Sequence, residues 1–231
     1  VTRPLAELEP MCAGALRRFL DAYSVVPELP VAVSLRAFGR IHLPGGHGLA
    51  RAMLTQLAVF HAPDDLVIAV CAGPHRRADW DWVKWLPHAL HRTRTDAAGP
   101  LRLITRTAGD LEPLLDGVQR AHLVVMLDEP GTEFPGRAGV TVLDLASAPP
   151  RNLGHRALVL TAGPRLTSRT TEAETDVGVP DSLTVAEAEA VARRLAPLRL
   201  AAVEAPRTAG PDTVRVVAVG DMVCDPADPN F

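Results

Sequence analysis

Two short stretches of this chain carry residue types suited to phosphate chemistry. The first is Pro44-Gly45-Gly46-His47-Gly48-Leu49-Ala50-Arg51, a glycine-rich turn between a β-like run and a helical pattern. Such a turn can aim successive backbone N–H groups and a helix N-terminus at a phosphate, with Gly45, Gly46, His47 and Gly48 as the cradle. The lysine that normally reaches the terminal phosphates is missing, as is the Ser/Thr hydroxyl that normally holds magnesium; the nearest cation is Arg51, one turn into the helix. The structural alternative is a glycine turn that lets a strand enter a helix sharply. The second stretch is Val124-Val125-Met126-Leu127-Asp128-Glu129. Four apolar residues ending in two carboxylates suit a strand that presents Asp128 to magnesium and Glu129 to an attacking water. Acidic residues before Pro130-Gly131 are also ordinary turn chemistry.

A third segment, Trp80-Asp81-Trp82-Val83-Lys84-Trp85-Leu86-Pro87-His88, holds every tryptophan and the only lysine. Trp80 and Trp82 alternate as on an extended segment, whereas Trp82 and Trp85 share a helical face. Core packing accounts for at least one ring. Clustered tryptophans beside a cation are also the material of interface hot spots, so Trp80, Trp82, Lys84 and Trp85 are candidate contacts, with Lys84 able to lie over a ring. Of the eight histidines, His88 and His91 have helical spacing, but no carboxylate or cysteine completes a zinc set. No G-x-S-x-G elbow occurs, and no cysteine has a readable partner.

The elements that must position these groups alternate. Residues 8–23 suit a helix, and Pro27 and Pro30 lead into the β-like Val31-Ala32-Val33-Ser34-Leu35. Arg40-Ile41-His42-Leu43, the glycine turn and a helix over 49–60 then precede Leu66-Val67-Ile68-Ala69-Val70-Cys71, a continuous apolar run typical of a strand buried on both faces. Residues 101–104 are strand-like, 109–120 helical, and 122–127, 140–145 and 157–161 again strand-like. Residues 163–180 suit a loop or hairpin, and 182–196 suit an amphipathic helix capped by Asp181 or Ser182. The pattern predicts a three-layer α/β fold with a mostly parallel, doubly wound sheet.

With 231 residues, 47% of them hydrophobic, the chain can bury one sizeable core. The 24 basic and 27 acidic residues are mixed along it, so no basic stripe offers itself to nucleic acid. Three scattered cysteines without a CxxC pair suit a reducing compartment, and no apolar run is long enough to span a bilayer. The start at Val1 and the Pro/Asp-rich end read as a piece of a longer protein. The expected organisation is an N-terminal helix and lead-in over 1–30, the α/β domain over 31–220 and a linker over 221–231.

The order of these pieces resembles the cytoplasmic ATPase of the type VII (ESX) secretion system, the EccC family of FtsK/SpoIIIE-like proteins, and within it the membrane-proximal domain of unassigned function. The match is carried by Leu29-Pro30-Val31-Ala32-Val33-Ser34-Leu35, by Ala50 to Ala58, by His61-Ala62-Pro63-Asp64-Asp65-Leu66, by the tryptophan segment through His88, and by His122-Leu123-Val124-Val125. It implies a P-loop NTPase fold of the FtsK kind, from which this chain departs at the phosphate loop, where the lysine is missing, so that the loop reads as degenerate. It also implies upstream transmembrane helices and downstream ATPase domains in the same chain, membrane components of a secretion pore as partners, a homo-hexamer and a place on the cytoplasmic side of the membrane. Asp128 and Glu129 are the catalytic residues it transfers. The leading expectation is an ATPase-like module that couples the pore to downstream domains with weak or no hydrolysis. The alternative is an active ATPase binding ATP and magnesium through Asp128/Glu129, with Arg51 or an arginine from an adjacent protomer replacing the lysine. A third reading is a scaffold that docks a partner through the tryptophans.

Overall fold

Side-chain alternation along two strands sets the layers of the molecule. The computed structural model describes residues 10–23, 30–115, 121–131 and 133–198. Strand β2 (Leu66–Ala72) is buried at every position and pairs in parallel with β6 (His122–Asp128), from Leu66 opposite His122 to Ala72 opposite Asp128. Leu66, Ile68, Val70 and Ala72 face one apolar cluster with Val124 and Met126; Val67, Ala69 and Cys71 face a second with Leu123, Val125 and Leu127. A strand covered on both faces cannot alternate apolar with polar, which is why these runs read as continuously hydrophobic.

The remaining strands are β1 (Arg40–His42), β3 (Leu90–Asp96), β4 (Gly99–Arg102), β5 (Ile104–Thr105), β7 (Val140–Asp144), β8 (Ala157–Ala162), β9 (Leu166–Arg169) and β10 (Glu174–Gly178). Among the described residues eight strands form one sheet in the order β10-β9-β8-β1-β7-β6-β2-β5, and β3 and β4 make a separate ribbon. From β8 to β5 the pairings are parallel, while β9 and β10 add antiparallel strands on β8. Helices α2 (His47–Phe60) and α5 (Val185–Leu195) cover the first face, together with the short α3 (Arg77–Trp80) and the 3₁₀ turns that follow it. On the second face lie α4 (Ala108–Leu111), Leu115 and Phe134. This is the predicted α/β architecture. Helix α1 (Pro10–Tyr23) has no buried residue. The end of the expected 31–220 domain and the linker over 221–231 lie outside the described residues.

Several expectations need correction. Residues 31–35 are not a strand; the chain is irregular there and makes a 3₁₀ turn at Leu35–Ala37. Both edges of β1 are already occupied, by β7 and β8, so the run has no partner in the middle of the sheet. The run at 101–104 is split, its first part pairing with β3 and Ile104 with β2. The helix expected over 109–120 gives way at Glu112–Leu114, where Pro113 supplies no N–H; 116–120 lie outside the described residues. Helix α5 starts at Val185 under a Thr184/Glu187 capping box rather than at Asp181 or Ser182.

Several histidines are held in the folded chain where burial opposes their charge. His88 is 2% exposed and its Nε2 donates to the His61 carbonyl at 2.8 Å, yet burial lowers its pKa. Burial is also the main cause of the lowered values of His42, His91 and His122. A histidine with a depressed folded pKa stabilises the fold fully above its unfolded value, about 6.5, and loses that contribution as pH falls toward the folded value. Urea midpoints should therefore be flat above pH 7.5 and fall between pH 6.5 and 5, with a shallower fall in His88→Asn; a midpoint that rises on acidification would contradict this.

Candidate functional site

Asp128 is the last residue of β6 and belongs to the set 124, 126, 128 that faces α2. It emerges at the carboxyl edge of the sheet, where open α/β folds place their ligands. The glycine turn rises from β1, in the middle of the sheet, and brings His47 to it: His47 Nε2 donates to Asp128 Oδ2 at 3.2 Å. The same oxygen accepts the indole N–H of Trp80 at 2.8 Å. Trp80 is fully buried and Asp128 is 4% exposed, so this is a desolvated carboxylate held by two N–H donors. Glu129 is half-buried and folds over Gly73; a Cβ at residue 73 would collide with its carboxylate. Gly73 was not among the sequence candidates, although a glycine immediately after the buried strand β2 was a signal for such a close approach.

The turn's glycines have different duties. Gly45 has a φ of 67°, in the left-handed region that side chains avoid. Gly46 is the N-cap of α2, without a side-chain cap, and its N–H donates to Leu43 O at 3.0 Å. Gly48 is overlaid by Ser182, whose hydroxyl occupies the space of a Cβ. Arg51 donates from Nε to the Leu183 carbonyl at 2.7 Å. The cation nearest the turn is thus bonded to the segment before α5. Among the described residues no group of three or more His, Cys, Asp or Glu is placed to hold a metal. The turn from Pro44 to Arg51 carries neither lysine nor a Ser/Thr hydroxyl.

A second buried carboxylate, missed in the sequence, lies on the other face. Asp144, at the end of β7, is fully buried and pairs with Arg40 Nη1 at 2.5 Å; its Oδ1 accepts from the Ala146 and Ser147 amides at 3.1 and 2.8 Å. Arg40 also reaches Phe134 O at 3.0 Å, and His42 Nδ1 stands 3.7 Å from Asp144. The two carboxylates point to opposite faces of the sheet, so they do not converge on one ligand. Cys71 is buried and its thiol is pushed up to about 11, chiefly by that burial.

The tryptophan segment divides. Trp80 and Trp82 are core residues, and Trp82 Nε1 donates to Asp79 O at 3.1 Å, so their rings offer no surface to a partner. The contact expectation therefore contracts to Trp85 and Lys84, both partly exposed. Arg193 of α5 lies 4.2 Å from the Trp85 ring centre and Lys84 lies 5.6 Å from it, while Lys84 also pairs with Asp81. The Trp85 indole N–H is buried without an acceptor among the described residues.

A mostly parallel α/β sheet with a glycine turn and an acidic strand end at its carboxyl edge has the layout of a P-loop NTPase-like core. No protein-family model matches the chain. It is 43% identical to the ESX secretion system protein EccC of Thermomonospora curvata, over 89% of this chain and 18% of that protein. It is 33% identical to the ESX-4 secretion system protein EccC4 of Mycobacterium tuberculosis over 97% of this chain, and 36% identical to the ESX-1 secretion system protein EccCa1 of that organism over 84%. The chain belongs to the EccC family. It spans 18% of the first two of these relatives and 28% of the third.

The geometry gives the two candidate carboxylates unequal structural weight. Asp128→Ala should lower stability by about 2–3 kcal/mol, because it strands the buried Trp80 N–H, whereas Glu129→Ala should cost less than about 1 kcal/mol. Urea unfolding of the two variants checks this; equal losses would refute the assignment.

Proposed function

We propose that this chain is an ATPase-like domain of an ESX secretion protein that turns over little or no nucleotide itself and couples neighbouring parts of the same protein. The observation that carries this reading is Arg51 bonded to the Leu183 carbonyl beside a turn without lysine or hydroxyl. Loss of one cationic group can reduce phosphoryl transfer by orders of magnitude. In this reading the domain lies on the cytoplasmic side of the membrane, with transmembrane segments before it and ATPase domains after it in the chain. It meets the pore's other membrane components in a hexamer, and Trp85 and Lys84 are its candidate contact residues. No helix among the described residues is long and apolar enough to cross a membrane. Titration calorimetry with ATP and magnesium, with phosphate release followed on the same sample, should give no heat up to millimolar nucleotide and no steady release. Binding at micromolar strength, about −8 kcal/mol, with turnover would overturn the proposal.

One arrangement favours a second reading, an unconventional ATPase. Asp128 touches His47 of the glycine turn, and Glu129 beside it is accessible at the carboxyl edge. Here Asp128 would hold magnesium and Glu129 would orient water. Glu129→Ala should then abolish phosphate release while leaving the fold intact; release at an undiminished rate would rule this reading out.

A further inference from the structure

Residues 181–184 run along α2 between Gly48 and Gln56 and join it to α5. Leu183 bonds to α2 twice: its N–H donates to the Gly48 carbonyl at 3.1 Å, and its carbonyl accepts from Arg51 Nε at 2.7 Å. Asp181 accepts from Gln56 Nε2 at 3.0 Å, and Ser182 Oγ fills the space above Gly48. The next residue, Thr184, opens α5, where it accepts from the Glu187 amide and its own N–H donates to the Glu187 carboxylate. Four consecutive residues thus terminate in both helices. None of them is buried: Asp181, Ser182 and Thr184 are exposed and Leu183 is half-buried. A segment held by surface hydrogen bonds and one glycine contact, with no large side chain in the core, opens far more readily than the sheet beneath it.

We infer that residues 181–184 form a latch that opens as a unit and passes the state of the glycine turn to α5. In the closed arrangement Ser182 Oγ stands where a Cβ on residue 48 would be, so a side chain there makes Ser182 turn away or withdraw. Opening breaks both Leu183 bonds together, releases the Arg51 guanidinium beside the turn and frees the capped end of α5. That helix carries Arg193 against Trp85, so a movement at its first turn reaches the partly exposed end of the tryptophan segment. The latch does not depend on whether the turn binds nucleotide. Any ligand or partner that displaces Ser182 opens it.

Amide hydrogen exchange on the purified protein tests this with Gly48→Ala, Ser182→Gly and the double variant. Gly48→Ala should speed exchange at Leu183, Glu187 and Ala188 tenfold or more and leave β2 and β6 as in the parent. Adding Ser182→Gly should restore the protection by making room for the new methyl group. Arg51→Met, which removes one latch bond without crowding, should give a smaller acceleration confined to the same residues, and it stands in if Gly48→Ala does not fold. Unchanged exchange at these amides, acceleration spread evenly over β2 and β6, or failure of Ser182→Gly to restore protection would overturn the latch.

Discussion

A buried carboxylate must find donors or leave the core, and Asp128 meets that demand with two. One donor is the first residue of α2; the other is an indole from the segment after β2. Satisfying this single oxygen therefore fixes where the glycine turn lands and how the tryptophan segment folds back over the sheet. Trp80 and, one 3₁₀ turn on, Trp82 sit in the same apolar cluster. Asp144 solves the same problem on the opposite face with an arginine and two backbone amides. Two strand ends that look alike in sequence are thus capped independently, one by α2 and the tryptophan segment, the other by β1 and the loop that follows β7.

The buried strands were legible because burial on both faces leaves an unbroken apolar run, and α2 because its apolar residues recur at helical spacing. What the sequence did not reveal depends on pairing partners. Residues 31–35 alternate well enough for a strand, but strand formation needs an open edge and β1 has none. The run at 101–104 belongs half to a ribbon and half to the sheet, a division set by β3 and β2 rather than by its own composition. For α5 the sign was present in Thr184-Val185-Ala186-Glu187, a capping-box spacing three residues after the first polar residue that suggested a cap.

The candidate site was legible as types and not as partnerships. Gly45, Gly46, His47, Gly48, Asp128 and Glu129 gather at the carboxyl edge, as their places after β1 and β6 suggest. That Arg51 would bond to Leu183, or that Trp80 would hold Asp128, rests on contacts between residues far apart in the chain, which spacing cannot encode. Gly48 is the instructive position. Its backbone is unremarkable, and what crowds a side chain there is Ser182 approaching from another element.

The position of β1 also bears on how the chain acquires its structure. This three-residue strand sits between β7 and β8, and Arg40 meets Asp144 across a separation of 104 residues. Closing so long a loop brings no reward until the later strands exist, which places the domain among slow, topologically non-local folders. During synthesis β1 and its glycine turn leave the ribosome long before anything can pair with them. Until β8 arrives, one flank of the central strand is an open template for misplaced pairing. Pairing with β8 closes that flank, and β9 and β10 then extend the sheet on the far side of β8.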